Sequence, residues 1–550
     1  MMAQHILVAG LLMLSMLQQP AGRNVIEGQV IRSDTASPQA VANARVILAS
    51  TAVRLTPTGP SYNEITATVT TDAGRFRLEG VAPGQYLVIA SSPGYVTGQY
   101  GQRNFDRPGA PLTVVDGTPI APVQIKLAPT AVIAGTVRDF DNEPMVGANV
   151  YLSKVAYTQD GNRTFAAATS TVTDDRGVYR LYWITPGEYV VSANVAAPIS
   201  GGRIAPRNPS LTPPKSGYSP IYYPGVTDPS RSQTVKVKPG ETLEGMALQF
   251  VSIPTRSLSG TVTHSQGGRP VRALVQLLPQ TAGAVARETP ADTNGKYAFS
   301  GLPAGRYDVV ALTPAAEPEF GTDSVDLQDG DVAGFNLSIK PGNTLRGRVE
   351  LEGAATLPNL GRTLMMLVEA PGSRGVEMSS PTVVASDGTF QINGVGNATL
   401  LEVRVNGLPP EYYVKSARLG GLEAWTAPIS VTGPIADTLQ IVLSAGAGSV
   451  LGTAVDMTGA PFNSATVALI PEARLRGKPA YYKTATTDPS GSFTLRGIAP
   501  GEYLLFAWDS VDTNAYYNAD FLRQQEPNGT SVTIEPGKET IARLRVIERN

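Results

Sequence analysis

A chain of 550 residues is too long for one hydrophobic core; at ~100–150 residues per domain it implies four or five units. Its 44 basic and 46 acidic residues nearly cancel, so no long-range field draws it onto nucleic acid or an anionic membrane surface, and nucleic acid is not an expected partner. Without cysteine and with only two histidines, His5 and His264, it has no thiolate nucleophile and no Cys/His zinc site, and it could build a histidine-dependent triad only at His264.

The 56 glycines and 44 prolines beside 42% hydrophobic residues fit frequent turns between ordered strands. In chain order, the apolar run Ile6 to Leu17 comes first, followed by Gln18-Gln19-Pro20-Ala21-Gly22. It has the length of a signal peptide's apolar core, so residues 1–22 are expected to direct export to a periplasm, a cell surface or the medium. The run lacks a basic flank and a clear cleavage motif, which leaves an uncleaved anchor or an N-terminal core element as alternatives. No later stretch approaches the ~18 apolar residues of a membrane helix, so the mature chain is expected to have no membrane-spanning segment.

One motif then recurs five times: TTDAGRFRLEGVAPGQY (Thr70 to Tyr86), TDDRGVYRLYWITPGEY (Thr173 to Tyr189), ADTNGKYAFSGLPAGRY (Ala291 to Tyr307), a degenerate ASDGTFQINGVGNATL (Ala385 to Leu400), and TTDPSGSFTLRGIAPGEY (Thr486 to Tyr503). Two positions after its first glycine stands an aromatic, as Phe76, Tyr179, Tyr297, Phe390 and Phe493. Twelve positions after it stand Tyr86, Tyr189, Tyr307, Leu400 and Tyr503. The Asp/Asn-x-Gly element predicts a tight turn with glycine at positive φ, and the Pro-Gly element a second turn, so the two flanking strands form a hairpin-like pair. The expected turn glycines are Gly74, Gly84, Gly177, Gly187, Gly295, Gly305, Gly388, Gly491 and Gly501.

Each motif is preceded by an opening strand centred on Gly28, Gly135, Gly260, Gly347 or Gly452. In four copies an alternating strand follows, such as Ala44/Val46/Leu48, and every copy ends on an alternating closing strand, such as Val123/Ile125/Leu127. Units of ~90–120 residues with about seven short strands predict an all-β chain, a tandem array of about five antiparallel seven-stranded Ig-like or prealbumin-like β-sandwiches. Their expected extents are 24–129, 130–253, 254–341, 342–445 (degenerate) and 446–550. Short joints carrying Pro129, Pro254 and Pro341 suggest a semi-rigid rod, and the proline-rich stretch Ala196 to Pro220 an exposed loop.

Gly-x-Val, then Pro-x-x-Gly-Ala-x-Val at Pro144 to Val150, then Thr-Asp-x-x-Gly-x-Tyr and Pro-Gly-x-Tyr resemble the carboxypeptidase regulatory-like repeat of transthyretin-like and collagen-adhesin B-type sandwiches. The resemblance implies the sandwich fold and no particular activity, because such domains accompany peptidases, receptors, adhesins and starch-binding-like modules. Peptidase activity does not carry over, since no His-x-x-Glu pair is present to hold zinc. Collagen-adhesin relatives cross-link a lysine in the first strand, and the first strands here have none; Lys126 and Lys340 lie in closing strands.

No cofactor and no metal is expected. Asp72, Asp174, Asp175, Asp292 and Asp488 offer one or two carboxylates per turn, suited to capping turn amides more than to calcium, which takes six to eight oxygens. His264 reads as a strand-end residue without local partners. Tyrosines gather between the Pro-Gly strand and the closing strand: Tyr95 and Tyr100 with Phe105, Tyr218, Tyr222 and Tyr223, Tyr412 and Tyr413, and Tyr516 and Tyr517 with Phe521. They could stack on sugar rings or pack on sandwich edges, with packing the favoured reading. The expected function is a non-catalytic exported binding or scaffold protein whose partner is unknown, a polysaccharide or a cell-surface protein being the candidates. Carbohydrate binding by the tyrosine-rich loops is the alternative, and a hydrolase with a cleft between units the third reading.

Overall fold

A computed structural model describes residues 24–548 except 36, 57–58, 104, 106–107, 196–215, 281–285, 315–318, 355–356, 358–363, 370–381, 396–398 and 432–433. The apolar run at 6–17 and most of the proline-rich stretch lie outside the described residues. The chain is all-β, a tandem series of five Ig-like or prealbumin-like sandwiches, with one short helix, Ala519–Gln525, among the described residues. It divides into two compact units, 1–129 and 130–550.

Unit 1–129 shows the common plan. One sheet holds the opening strand Asn24–Arg32 between Arg75–Val81 and the closing strand Val123–Leu127; the facing sheet runs Gly59–Val69, Arg45–Thr56, Gly84–Ser91, with Gly98–Gln99 and Leu112–Val114 on the far side. Alternation puts Val46, Leu48, Phe76, Leu78, Val88, Ile125 and Leu127 between the sheets, all almost fully buried.

The sandwiches are antiparallel with one recurrent departure: the opening and closing strands pair in parallel in every copy, as at Gly28↔Val123, Leu248↔Val137, Val262↔Leu337, Gly347↔Leu439 and Gly452↔Ala542. With first and last strands parallel, the chain enters each sandwich at one end and leaves it at the other.

The motif strands correct the hairpin expectation. Arg75–Val81 belongs to the opening strand's sheet and Gly84–Ser91 to the other, and the same split holds for Val178–Ile184 against Gly187–Asn194 and Ser492–Ile498 against Gly501–Trp508. The Pro-Gly element is therefore an arch that carries the chain across the core. The four Pro-Gly-type glycines are not alike: Gly84 and Gly501 sit at positive φ, 159° and 153°, whereas Gly187 and Gly305 do not, and Gly84, Gly187 and Gly501 each begin the next strand. The left-handed glycine stands six residues after the first motif glycine, as Gly80, Gly301, Gly394 and Gly497 at φ 67–76°. There the pairing with the opening strand slips, for example between Asn24 and Ile26, so the strand bulges and turns before the arch. The first motif glycines, Gly74, Gly177, Gly295, Gly388 and Gly491, do take φ of 68–85°.

The motif aromatics explain the opening-strand glycines. Gly28 pairs with Phe76, Gly135 with Tyr179, Gly260 with Tyr297, Gly347 with Phe390 and Gly452 with Phe493. Each ring lies over its glycine so closely that a Cβ on Gly347 would meet Phe390 Cζ at 1.9 Å. The second aromatic fastens the arch. The hydroxyls of Tyr86, Tyr189, Tyr307 and Tyr503 donate to the carbonyl four residues back, at Ala82, Thr185, Pro303 and Ala499, over 2.7–3.0 Å.

Unit 130–550 departs from the rod that the short joints suggested. The second and fifth sandwiches touch although two others separate them in sequence: Tyr157 N donates to Thr513 O at 2.9 Å, Asn514 Nδ2 to Tyr157 O at 3.2 Å and Asn518 Nδ2 to Gly161 O at 2.9 Å. Nor is there a loose joint between the second and third, because strand Ser252–His264 runs through the expected boundary at 253/254 and pairs with Ser216–Tyr218 from the second. Proline at 254 is tolerated there, near the start of the strand and away from the sandwich's central ladder.

Candidate functional site

The repeated aspartates are held by turns. Asp174 Oδ1 accepts from the amides of Arg176 and Val178, Asp292 Oδ1 from those of Asn294 and Lys296, and Asp488 Oδ1 from those of Ser490 and Ser492, all at 2.8–3.0 Å. In the first copy Thr71, not Asp72, caps the turn through Oγ1 and Arg75 N. Asp175 is exposed beside its turn. Among the described residues no three His, Cys, Asp or Glu side chains gather to hold a metal ion.

His264 ends its strand but has a partner that local sequence did not reveal. Its Nδ1 lies 2.7 Å from Glu319 Oε2, brought over from strand Glu319–Asp326. Thr313 Oγ1 accepts from the Glu319 amide at 2.9 Å, and among the described residues no hydroxyl is hydrogen-bonded to the imidazole.

The loop tyrosines are distributed, not convergent. Tyr222 is buried and stacks on Phe165 at 5.6 Å, Tyr223 packs on the second core, and Tyr218 leans on Phe250 at 5.3 Å. Burial first, then the carboxylates of Asp139 and Asp141, raise the Tyr218 hydroxyl pKa. Tyr516 and Tyr517 form one turn, Ala515–Tyr517, and pack with Tyr482, Trp508 and Phe521 in a satellite core of the fifth sandwich. Burial pushes the Tyr517 hydroxyl up to about 12. Its carbonyl abuts Gly161 of the second sandwich, where a Cβ would come within 2.6 Å. Tyr412 and Tyr413 are half-buried, and Tyr95 and Tyr100 pack on the core of the first sandwich.

Charge is concentrated where the fourth and fifth sandwiches meet. Lys478 is buried; its ammonium donates to Val403 O at 2.8 Å and lies 4.5 Å from the centre of the Trp425 ring. Burial lowers its pKa to about 8, opposed by Glu402 and Glu423 and assisted by Arg404. Arg404 reaches on to Gln159 Oε1 at 2.9 Å, tying the second sandwich to the same junction. Trp425 Nε1 donates to Tyr481 OH at 3.2 Å.

One surface feature lies where the second copy departs from the motif. At the bulge position where four copies place glycine, the second has Trp183, left-handed at φ 58°. Trp183 is 73% exposed and its neighbour Tyr182 57%, with ring centres 5.3 Å apart and planes at 84°. The signal was present in sequence, as Tyr-Trp in the second copy where the others read Glu-Gly, Ser-Gly, Asn-Gly and Arg-Gly. Its meaning depends on the left-handed backbone at the sixth position, which sequence alone does not show.

Residues 257–340 match the family model of the carboxypeptidase regulatory-like domain. No curated protein matches the chain. Among solved structures, the Bacillus anthracis TIE protein is 12% identical, covering 96% of this chain and 76% of its own, at a TM-score of 0.16. A streptococcal ancillary pilin is 12% identical over 58% of this chain and 99% of its own, at 0.19. The Bacillus cereus major pilin subunit BcpA is 11% identical over 76% and 99%, at 0.14.

Proposed function

We propose, from the premise that residues 257–340 are a carboxypeptidase regulatory-like domain, that the chain is a non-catalytic extracytoplasmic protein that binds or organises partners at a cell surface. The observation that carries this reading is the use made of the repeated polar side chains. Thr70, Thr173 and Thr487 are each buried between two backbone groups, the turn aspartates cap amides, and the motif tyrosines hold arches. What recurs serves folding, so recognition belongs to residues that differ between copies. No helix among the described residues is long and apolar enough to cross a membrane, and the apolar run at 6–17 supports export.

Carbohydrate binding by the tyrosine-rich loops remains a second reading, for which Tyr412 and Tyr413, half-exposed at the start of strand Tyr413–Leu419, are the accessible candidates. The test of the main reading is cell fractionation with an antibody against the chain, together with assays of the purified protein on peptides and polysaccharides. We expect an extracytoplasmic chain without turnover. A cytoplasmic chain, or turnover abolished by a single substitution, overturns the reading.

A further inference from the structure

The chain has three tryptophans, and they are used in two ways. Trp425 and Trp508 are buried, and their indole N–H groups donate to Tyr481 OH and Gln525 Oε1. Trp183 is exposed, and among the described residues its indole N–H has no acceptor. Its backbone is also of the kind that bulky side chains avoid: an aromatic residue at positive φ is an outlier, whereas glycine takes that conformation without strain. The sister positions show that φ alone sets this preference, because a Cβ at Gly301 or Gly497 would meet no atom nearer than 3.6 Å. A strained backbone and an exposed indole that contribute nothing to a core point to use by a ligand.

The surroundings define that ligand. Strand Val178–Ile184 is the edge of its sheet, and its outward face carries Val178, Arg180 and Tyr182, all exposed. Arg180 is in no ion pair among the described residues. The neighbouring strand puts only Ala134 and Thr136 opposite Arg180 and Val178. Two perpendicular rings rising from a floor of small side chains do not make the continuous apolar area that a protein interface of ~800 Å² per partner requires. They suit one small ring with an apolar face and a polar rim. The indole N–H, the phenol hydroxyl and the guanidinium supply donors around it.

We propose that Tyr182 and Trp183, with Arg180, form a binding site for a pyranose ring of a polysaccharide, the ring stacking on an aromatic face and its oxygens accepting from the three side chains. This site deepens the surface-binding function and rests on it. Neutral and acidic polysaccharides share the pyranose chemistry, and Arg180 distinguishes them, since a guanidinium pairs with a uronate carboxylate in bidentate fashion.

The test is binding of the full chain to amylose, a soluble β-glucan and polygalacturonate, by affinity electrophoresis and calorimetry. We expect the wild type to bind at least one, Trp183→Gly and Tyr182→Ala each to weaken it roughly tenfold or more, and Trp183→Gly to melt no lower than wild type. Arg180→Gln is expected to weaken polygalacturonate selectively if the ligand is acidic and to have a small effect if it is neutral. A wild type that binds none of the three, or aromatic variants that bind as wild type does, overturns the site and leaves the surface-scaffold reading standing. Adhesion to intact cells that survives enzymatic removal of their polysaccharide and is lost in Trp183→Gly marks a protein partner and overturns the sugar assignment. Hydrolysis of a polysaccharide whose binding needs Trp183 supports the site and overturns the non-catalytic reading instead.

Discussion

Strand Val178–Ile184 of the second sandwich and strand Ser492–Ile498 of the fifth follow one backbone plan and differ in what they place on it. Both pair with an opening strand, slip register at the same point, and hold their sixth position left-handed, at Trp183 with φ 58° and at Gly497 with φ 67°. Glycine meets the geometry without strain; tryptophan meets it at a cost of about 1–2 kcal/mol. The backbone is therefore fixed by the strand pairing and the arch, and side chains at the bulge are free to serve another purpose. Their buried positions, Tyr179, Leu181 and Ile184 against Phe493, Leu495 and Ile498, correspond one to one, and the comparison can be tested by substitutions that should act alike on both strands or oppositely.

The largest effect is expected where they are alike. A Cβ on Gly135 would stand 1.9 Å from Met246 O, and on Gly452 2.4 Å from Phe493 Cζ and 2.6 Å from Ala542 O. Backbone of a parallel closing strand cannot withdraw as a flexible side chain can. Gly135→Ala and Gly452→Ala should each destabilise by about 3 kcal/mol, the upper end of overpacking costs, read as a shift in urea midpoint with unchanged slope. Gly305→Ala is the control: it has room, with no atom within 3.9 Å of its Cβ and a backbone outside the left-handed region, and should stay within about 0.5 kcal/mol.

The next effect separates the strands' neighbourhoods. The fifth sandwich buries Lys478 against Val403 and Trp425, with a pKa lowered to about 8 from an ordinary 10.5. Between those values the unfolded chain binds the proton and the folded chain releases it, so stability rises with pH across that interval and is lowest, for this group, below pH 8. Above about pH 10 the buried tyrosines reverse the trend, because Tyr517, raised to about 12, stays neutral when folded and ionises when unfolded. Urea melts at pH 7 to 10 should show a gain of about 2 kcal/mol from this group, and Lys478→Met should remove that part of the slope, leaving the part due to Lys483, whose pKa burial also lowers. A slope unchanged in that variant would place the titration elsewhere.

How far these features can be read from sequence depends on the range of the contacts that make them. The turn at Asp174 to Gly177 is local, and its residue types announce both the aspartate cap and the left-handed glycine. Alternation in Ala148, Val150 and Leu152 likewise announces a buried face. Pro186-Gly187 fits a hairpin as well as an arch, and only the partners, Ala131–Arg138 on one side and Asn149–Tyr157 on the other, decide between them. The ring-over-glycine contact needed Gly135 and Tyr179 to be neighbours across 44 residues, which no local pattern encodes. The contact of Asn514 with Tyr157 spans 357 residues and brings the fifth sandwich against the second. Tyrosines chosen for their clustering, such as Tyr222 and Tyr517, lie largely in packed environments. The exposed pair Tyr182 and Trp183 sits inside the motif at positions where the copies differ, so the repeat pattern itself does not mark it.

At the sixth position the two strands should respond oppositely. Trp183→Gly relieves a strained residue and should stabilise by about 1 kcal/mol, less whatever contact the indole keeps with Tyr182. Gly497→Ala introduces the strain and should destabilise by about 1 kcal/mol. Chemical denaturation of each variant measures both. Equal signs would mean that the bulge geometry adapts to its residue, and the shared backbone plan would fail.

The smallest effect tests whether the arches are equivalent despite their different bulges. Tyr189 OH donates to Thr185 O at 2.7 Å and Tyr503 OH to Ala499 O at 2.8 Å, each spanning its Pro-Gly arch. Phenylalanine keeps the ring in the core and removes only the donor, so Tyr189→Phe and Tyr503→Phe should each cost about 1 kcal/mol, the net worth of one hydrogen bond. Equal losses indicate that the arch is set independently of the residue three or six positions before it. A much smaller loss for Tyr189→Phe would mean that strain at Trp183 has already loosened the arch that follows, and would bind the exposed aromatic pair to the fold more tightly than its geometry implies.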